Sequence, residues 1–568
     1  MPFLDNENPI FKLAREGNLS EIRRIIENDP LQILIKTEKN GLTLVMIAAM
    51  SGHLELTQWL IEEGKASLEE RSKNGLSALL IAAARGQIEV MQWLLESGKA
   101  SLEEKDIYGA SALLIAAANG QIKVMQWLLD SGKASLGEKD SYGASALLIA
   151  AANGEIKIMQ WLLESGKASL EEKDSNGNPA LLIAASNGQI KVMEWLRHSG
   201  KASLEEKDNF GNSALLIASA NGQIRVMQWL LESGKASLEE KNQKGKSALL
   251  IAAACGQIEV MQWLLESGKA SLEEKDSHGN PALLIAAANG QIRVMQWLLD
   301  SGKASLGEKD SYGRTSLLIA AGHGEIRVMQ WLLESGKASL GEKDNNGTSA
   351  LLFAAANSQI KIMQWLLESG KASLEEKDKN GLSALLIAIK YKKIDSITYI
   401  LENHLISYKS LLECMELADD EVIAKRLVNY QINIDLLIKE EGKITIPDEF
   451  ICPITSQFML NPISAPDGCI YEKKAIVKWL ELNPNSPLTR EPMVASQLYP
   501  NNFIKRLYKE KLEEIDSFLA KRFASLNSVK ISHSSAGFFA EGGSSRSSSE
   551  PMLATLAAEL PSGSAFSS

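Results

Sequence analysis

The chain has 568 residues, of which 45% are hydrophobic and 23% are charged, and this composition is that of an ordinary globular protein. Its formal net charge of −11 at pH 7 argues against a general nucleic-acid binder, because neutralising phosphates requires clustered lysine and arginine and no basic patch stands out. The apolar runs, of the type SALLIAAA, are far shorter than the roughly 20 residues of a membrane-spanning helix, so we predict no membrane span.

The cysteines and the first residues indicate a reducing compartment. The four cysteines are scattered over a long chain and suggest no disulfide framework. The opening MPFLDNENPI lacks a cationic stretch followed by a long apolar one, so we expect no secretory signal peptide. We therefore expect a cytoplasmic protein with protein partners rather than nucleic acid or a membrane.

A 34-residue repeat fills most of the chain. Ten of the eleven tryptophans recur at this interval, from Trp59 to Trp365, and a glycine keeps the same step from Gly41 to Gly381. After each such glycine comes Ser, Thr or Pro and then an Ala-rich stretch, where the hydroxyl or the proline suits the start of a helix. A glycine such as Gly86 ends this helix, and GQIEVMQWLLESG predicts a second, amphipathic one. Each unit is therefore predicted to hold a turn and two helices.

The repeat resembles the ankyrin family. A period of 34 residues also fits tetratricopeptide units, but the glycine tip before a short first helix favours ankyrin. Residues 315–336, TSLLIAAGHGEIRVMQWLLESG, are similar to the family pattern TPLHxAAxxGH, with leucine where the family often has histidine and one extra residue in the loop. The resemblance implies a mostly α-helical solenoid of about twelve units within residues 1–403, whose first and last units diverge as capping units do.

Comparison of the units with one another predicts where a partner binds. The helices are nearly identical, whereas the residue before each tip glycine varies, and large side chains there are typical of interface anchors. A second variable position closes the first helix of each unit, as in Asn119 and His323. Neutral drift is the alternative for both, and the unchanged tryptophans favour packing between repeats over a ligand site. The strongest candidates for partner binding are Tyr108, Tyr142, Phe210, His278 and Tyr312.

The chain changes character after the repeats. Residues 404–443 lose the period but stay rich in Leu, Ile and Val, which predicts a helical linker that closes the array. Residues 502–526 read as a charged amphipathic helix, and Ser, Gly and Ala dominate from 527 onward. We therefore predict that residues 516–568 hold the end of this helix and a Ser-rich disordered tail.

Between the linker and the tail, residues 444–515 resemble a U-box, the metal-free relative of the RING domain. The resemblance rests on residues 450–492, FICPITSQFMLNPISAPDGCIYEKKAIVKWLELNPNSPLTREP. A zinc RING would need about eight Cys or His ligands in two sites, but this region has two cysteines and no histidine, so we expect no metal and no other cofactor. Apolar packing and hydrogen bonds must then hold a small α+β domain together. The core candidates are Phe450, Ile463, Tyr471, Ile476 and Leu498.

The U-box resemblance implies an E3 ubiquitin ligase. Carried over residue by residue, the groove for the ubiquitin-charged conjugating enzyme would be made by Ile454, Trp479 and Pro487, although Trp479 could instead be a core residue. Arg490 stands at the position of a cation that hydrogen-bonds both the conjugating enzyme and ubiquitin, and its rigid donors suit that bridging role. Catalysis would be positional, with no covalent ubiquitin intermediate on this chain. The ankyrin tips would select the protein substrate.

Several alternatives remain open at this stage. One is an ankyrin adaptor whose U-box only docks partners. Another is a thioester-forming ligase that uses Cys452 or Cys469, although a buried hydrophobic role suits Cys452 better, because no His or Asp in the segment could activate it. Near-identical repeats with a Ser-rich tail also resemble secreted effectors of intracellular bacteria, which would place the protein in a host cytosol. The sequence leaves open whether the U-box pairs into a homodimer.

Overall fold

The computed structural model is mostly helical and falls into two compact units, residues 1–311 and residues 312–568. Among the residues that it describes, no helix has both the length and the apolarity to cross a membrane. The described residues are 8–37, 40–64, 66–199, 202–233, 236–404, 406–441, 447–456, 459, 462–500, 506–507, 509–519 and 521.

Each repeat folds into two short helices because its sequence supplies both ends. In the third repeat the Ser77 hydroxyl accepts a hydrogen bond from the Leu80 N–H, which caps the first helix. That helix ends at Gly86, whose φ of 80° is left-handed and lets its N–H reach the carbonyls of the last turn. Met91 and Leu94 of the second helix are fully buried with the Ala-rich helix. The predicted turn and helix pair are confirmed.

The first unit contains nine helix pairs within its described residues, and the first helices of successive pairs pack on one another. We number these helices α1 to α18 in chain order. Their bounds are Pro9–Glu16, Leu19–Asn28, Leu44–Ser51, Leu54–Glu62, Ala78–Arg85, Ile88–Glu96, Ala112–Ala118, Ile122–Asp130, Ala146–Asn153, Ile156–Glu164, Ala180–Ser186, Ile190–His198, Ala214–Ala220, Ile224–Glu232, Ala248–Cys255, Ile258–Glu266, Ala282–Ala288 and Ile292–Asp300, with a 3-10 turn at Pro30–Leu34.

Polar bonds join consecutive repeats at fixed positions. The Ser213 hydroxyl donates to the Glu240 carboxylate of the next repeat, and the same bond recurs between Ser247 and Glu274. A second kind of bond joins a repeat to the one before it. Gln257 Nε2, for example, donates a 3.1 Å hydrogen bond to the carbonyl of Ala220, the last residue of α13. These bonds satisfy buried or half-buried polar groups, so the repeats stack with little polar cost.

The second unit begins with three more helix pairs, so the described residues contain twelve pairs in all, in agreement with the predicted number. Two further helices then follow, Tyr408–Leu417 and Glu421–Glu441, and they continue the stack because they pack on the first and second helix of the twelfth pair. The bounds are Ser316–His323, Ile326–Glu334, Ala350–Ala356, Ile360–Glu368, Ala384–Lys390 and Ile394–Asn403 for α19 to α24, Tyr408–Leu417 for α25 and Glu421–Glu441 for α26.

The α+β domain follows in the second unit. Its three strands are β1 (Pro462–Ser464), β2 (Ile470–Glu472) and β3 (Tyr499–Pro500), in the antiparallel order β2-β1-β3, with Ile463 paired to Tyr471. Helix α27 (Lys473–Leu482) follows β2 directly, and 3-10 turns lie at Asp448–Phe450 and Ala495–Gln497.

The core of this domain matches the sequence prediction at four of five positions. Phe450, Ile463, Tyr471 and Ile476 are buried. Leu498 is only half-buried, because it lies between a 3-10 turn and the edge strand β3, whose two residues are exposed. A small sheet of this kind has one edge open to solvent, and Leu498 lies at that edge.

A helical segment after the domain packs back on the linker. Residues 506–507, 509–519 and 521 are helical, and Asp516 Oδ1 accepts a 2.6 Å hydrogen bond from the N–H of Tyr408 at the start of α25. Ile515 and Leu519 are fully buried. Lys474 of α27 donates to the carbonyl of Glu416 near the end of α25. The predicted Ser-rich tail lies outside the described residues.

Candidate functional site

The first loop of the α+β domain is folded around Cys452. This residue is fully buried, and its sulfur accepts the N–H of Glu472 at 3.3 Å, which joins the loop to the end of β2. The Cys452 carbonyl accepts the N–H of Ser456 at 2.8 Å, so the intervening residues form a tight turn. Ile454 lies on this turn and is half-buried. The burial of Cys452 confirms the prediction of a small core residue.

The second loop is closed by its own backbone. The N–H of Ser486 donates to the carbonyl of Glu491 at 2.8 Å, and the N–H of Arg490 donates back to the carbonyl of Ser486 at 3.2 Å. Asn485 and Pro492 form a β-bridge at the base of the loop. A loop closed in this way holds its tip in one conformation.

Arg490 occupies an unusual backbone conformation at the end of this loop. Its φ is 61°, in the left-handed region that residues other than glycine seldom adopt. The side chain is exposed, and no ion pair of Arg490 occurs among the described residues. The loop therefore presents a guanidinium to solvent at a fixed place.

Asp467 lies in the turn between β1 and β2 and joins this turn to β2 and to the second loop. Its Oδ2 accepts hydrogen bonds from the Ser486 hydroxyl at 2.6 Å and the Tyr471 hydroxyl at 2.7 Å, and its Oδ1 accepts the N–H of Cys469 at 2.9 Å. Burial raises the pKa of the Asp467 carboxyl, but these hydrogen bonds outweigh burial and hold the pKa below its usual range. One carboxylate thus holds the second loop, β2 and the turn between β1 and β2 together.

Trp479 of α27 lies against the second loop. Its indole N–H donates to the carbonyl of Asn485 at 2.9 Å, and the side chain is half-buried. The neighbouring Pro487 is also half-buried. The structure therefore brings together two of the three residues predicted to bind the conjugating enzyme, while Ile454 is held by the bonds of the first loop.

Two exposed apolar residues were missed by the sequence reasoning. Leu482 at the end of α27 is 77% exposed, and Leu488 on the second loop is 53% exposed. Exposed leucines beside a half-buried tryptophan are typical of a surface that a partner covers. Helical periodicity gave no signal for them, because one lies in the last turn of a helix and the other lies on a loop.

The predicted partner-binding residues of the repeats are all at protruding turns. Tyr108, Tyr142, Phe210 and Tyr312 are each about half exposed, and His278 is exposed as well. Four of these tips, at Tyr108, Tyr142, Phe210 and His278, are braced by an aspartate two residues earlier: Asp106 Oδ1, for example, accepts the N–H of Tyr108 at 2.9 Å. The aromatic rings thus project from rigid turns.

The other repeated positions have local roles. Asn119 Nδ2 donates to the Ile115 carbonyl at 2.9 Å, and the same bond recurs at most asparagines that close a first helix, so this variable position caps its own helix. Apart from the buried Trp59, the repeated tryptophans are half-buried, and a lysine covers several of them: Lys371 Nζ lies 4.2 Å from the ring centre of Trp365.

In the described part of the chain, no group of three or more His, Cys, Asp or Glu side chains is arranged to bind a metal ion.

Comparison with known families agrees with both parts of the fold. A model of three ankyrin repeats matches residues 46–140, 113–208, 181–276, 269–344 and 328–410, and a model of many ankyrin repeats matches residues 10–61. The chain belongs to the ankyrin-repeat family. A U-box domain model matches residues 446–522, so this ankyrin protein carries a C-terminal U-box.

Several curated relatives match a short part of the chain. E3 ubiquitin-protein ligase PUB24 of Arabidopsis thaliana is 43% identical over 70 residues, which are 12% of this chain and 15% of that protein. WD repeat, SAM and U-box domain-containing protein 1 of Gallus gallus is 41% identical over 71 residues, again 12% and 15%. U-box domain-containing protein 51 of Arabidopsis thaliana is 45% identical over 64 residues, 11% of this chain and 8% of the relative. The chain thus spans less than a sixth of the length of these relatives.

Proposed function

We propose that the protein is a U-box E3 ubiquitin ligase that promotes transfer of ubiquitin from a conjugating enzyme to a lysine of a protein substrate. The observation that carries the proposal is the second loop, where Trp479 is bonded to Asn485 and Arg490 is exposed on a fixed backbone. The match to a U-box, in a segment 43% identical to a protein named as an E3 ubiquitin-protein ligase, supports the same activity.

The conjugating enzyme would bind at the apolar surface near Trp479. We assign Ile454, Trp479 and Pro487 to this contact, and the exposed Leu482 and Leu488 extend it. A conjugating enzyme that covered this surface would remove exposed leucine side chains from water, which favours binding. The contact of α27 with α25 uses Lys474, one turn or more from Trp479, and leaves the assigned surface open.

Arg490 would act by orientation. Its guanidinium carries five donors in a rigid fork, which suits a bridge between carbonyls of the conjugating enzyme and of ubiquitin. Such a bridge would hold the thioester ready for attack by a lysine amine, which is an entropic contribution to catalysis. Cys452 is buried and bonded, so a covalent ubiquitin intermediate on that sulfur is not part of the proposal.

The ankyrin repeats would select the substrate through their exposed tips. Tyr108, Tyr142, Phe210, His278 and Tyr312 lie on protruding turns, and aromatic anchors of this kind dominate binding energy at protein interfaces. The reaction would take place in a cytoplasmic compartment.

The test is a ubiquitination reaction with activating enzyme, ATP, ubiquitin and a panel of conjugating enzymes. We expect the parent chain to form ubiquitin conjugates with at least one conjugating enzyme, and Ile454→Ala to form far fewer. Ile394→Ala is a matched control, because Ile394 is an exposed isoleucine on α24, outside the U-box. Absence of conjugates with the whole panel would favour the ankyrin adaptor, and a ubiquitin adduct on a cysteine that reducing agent removes would favour a thioester mechanism.

A further inference from the structure

The last three ankyrin repeats enclose a cleft in the second unit. Its volume is about 520 Å³, which is in the range of ligand and peptide sites. The residues of interest in its wall are Tyr312, Arg314, Phe353, Lys390, Tyr391 and Lys393.

Four of these wall residues, Phe353, Lys390, Tyr391 and Lys393, have no counterpart at the equivalent positions of the other repeats. Tyr312 matches Tyr108 and Tyr142, and the cation at Arg314 has a counterpart in Lys246. Where Phe353 stands, the equivalent residue of every other repeat from Ile47 to Ile387 is isoleucine. Lys390 replaces a small residue in nine earlier repeats, and Lys393 replaces a glutamine, glutamate or histidine. The changes introduce cations and aromatic rings, and they do so in an array whose helices are otherwise nearly identical.

Divergence of a capping repeat does not account for all of these changes. Arg314 and Phe353 belong to the tenth and eleventh repeats, which are not terminal. The twelfth repeat is itself covered, because α25 packs on its first helix and α26 packs on its second. The twelfth repeat therefore does not need additional cations to keep an uncovered end of the repeat array soluble. Binding of an anionic partner does explain them.

The charges in the cleft favour an anion. Arg314 lies over the ring of Tyr312 with its central carbon 5.1 Å from the ring centre, and Lys390 Nζ lies 5.9 Å from the ring centre of Tyr391. The wall also contains two carboxylates, so its three cations exceed its acidic groups by one. Asp344 Oδ1 accepts the N–H groups of Asn346 at 2.9 Å and of Thr348 at 2.7 Å, and Asp378 is bonded in the same way.

We propose that this cleft binds an extended acidic segment of the substrate protein, and that Arg314, Lys390 and Lys393 recognise its carboxylates. The inference rests on the proposed function, in which the repeats select the substrate. A peptide suits the wall better than a nucleic acid does. It can place carboxylates against the cations and uncharged residues beside Asp344 and Asp378, whereas a polynucleotide carries a negative charge at every phosphate.

The sibling repeats supply substitutions that the fold already tolerates. The variant Arg314→Asn, Lys390→Ala, Lys393→Gln places at each position a residue that equivalent repeats contain, as at Asn280, Ala356 and Gln359. The matched control, Lys343→Gln, Lys361→Gln, Lys371→Gln, removes three exposed cations from the same unit outside the cleft. Circular dichroism melting of both verifies folding, and Lys393→Gln alone serves if the triple cleft variant does not fold.

The experiment is selection from a displayed library of random twelve-residue peptides on the purified full chain. We expect the selected peptides to be enriched in Asp and Glu at least about twofold on the parent and on the control, and to lose this enrichment on the cleft variant and in high salt. Equal enrichment on all three proteins, or none on the parent, overturns the proposal. So does a labelled single-stranded oligonucleotide that binds the parent and not the cleft variant.

The selection contains no ubiquitin or conjugating enzyme, so its outcome is separate from that of the ligase assay. Acidic-peptide binding without ubiquitin transfer contradicts the ligase activity alone. Ubiquitin transfer without acidic-peptide binding contradicts the acidic substrate alone.

Discussion

The hydroxyl of Ser486 donates a 2.6 Å hydrogen bond to Oδ2 of Asp467, and this bond joins the second loop of the U-box to the turn between its first two strands. The same oxygen accepts the Tyr471 hydroxyl at 2.7 Å. A domain this small buries little apolar surface, so hydrogen bonds between its loops and turns contribute a large share of its stability. Asp467 therefore positions the loop that carries Arg490, although it lies 23 residues earlier in the chain.

Asp467→Asn should destabilise the U-box. The amide keeps the shape of the side chain but replaces an oxygen that accepts two hydroxyl bonds, and loss of such bonds costs about 1–3 kcal/mol. Hydrogen exchange of peptides within residues 462–500 in increasing urea measures the effect. Ser486→Ala removes one of the bonds and should cost less. An Asp467→Asn protein as stable as the parent would show that the network is dispensable.

The pH dependence of this stability follows from the pKa of Asp467. Because the folded pKa lies below that of the unfolded chain, ~3.9, the network stabilises the fold above that value, and its contribution is lost as pH falls through the folded pKa. We expect the difference in U-box stability between parent and Asp467→Asn to be constant from pH 7 to 5 and to shrink below pH 4. A difference that grows in acid would contradict this sign.

Gly222→Ala should weaken the contact between two repeats. Gly222 has a φ of 73°, and an added Cβ would lie 2.7 Å from Gln257 Oε1, so the Gln257 bond to the Ala220 carbonyl would be disturbed. Gly268→Ala is a matched control, because its φ of 63° carries the same backbone strain while no atom lies within 4 Å of the added Cβ. The left-handed strain costs roughly 1–2 kcal/mol in both, and we expect about 1 kcal/mol more at Gly222.

Urea denaturation of the two glycine variants, followed by tryptophan fluorescence, measures this difference. Equal losses of stability would show that the glutamine bond between repeats contributes nothing.

Asp516→Ala should release the helix that follows the U-box. Asp516 Oδ1 accepts the N–H of Tyr408 at 2.6 Å, and burial, with a smaller effect of Glu375, raises the pKa of its carboxyl. Asparagine keeps an acceptor and carries no buried charge, so Asp516→Asn should retain the contact. Hydrogen exchange of residues 509–519 should speed up in the alanine variant only. Unchanged protection in both variants would assign the docking to Ile515 and Leu519.

The sequence predicted the repeats well because equivalent positions of the units can be compared with one another. A step of 34 residues places the same turn and caps in every unit, so the helix pairs and the buried Met91 follow from local pattern. The U-box core candidates Ile463 and Tyr471 followed from the resemblance to a U-box, a metal-free domain that apolar packing must hold together. Local sequence pattern does not predict the hydrogen bond between Asp467 and Ser486, because only the tertiary structure brings these residues together.

Exposure was the other quantity that local pattern did not provide. Leu482 is exposed because, among the described residues, no other element covers it at the last turn of α27. The sequence of the helix does not show whether another element covers that turn. Leu498 was predicted to lie in the core, but it precedes an edge strand of only two residues. The asparagines that close first helices looked variable, and their bond to the preceding turn became visible only in three dimensions.

The most direct test of ligase activity is single-turnover discharge of ubiquitin from a charged conjugating enzyme to free lysine. We predict that the parent accelerates discharge and that Arg490→Ala slows it by about 10- to 100-fold, the loss expected for one or two hydrogen bonds to a charged group. Binding of the uncharged conjugating enzyme should be unchanged in Arg490→Ala and weakened in Ile454→Ala. Discharge no faster with the parent chain than with the conjugating enzyme alone, for every member of the panel, would contradict the assignment.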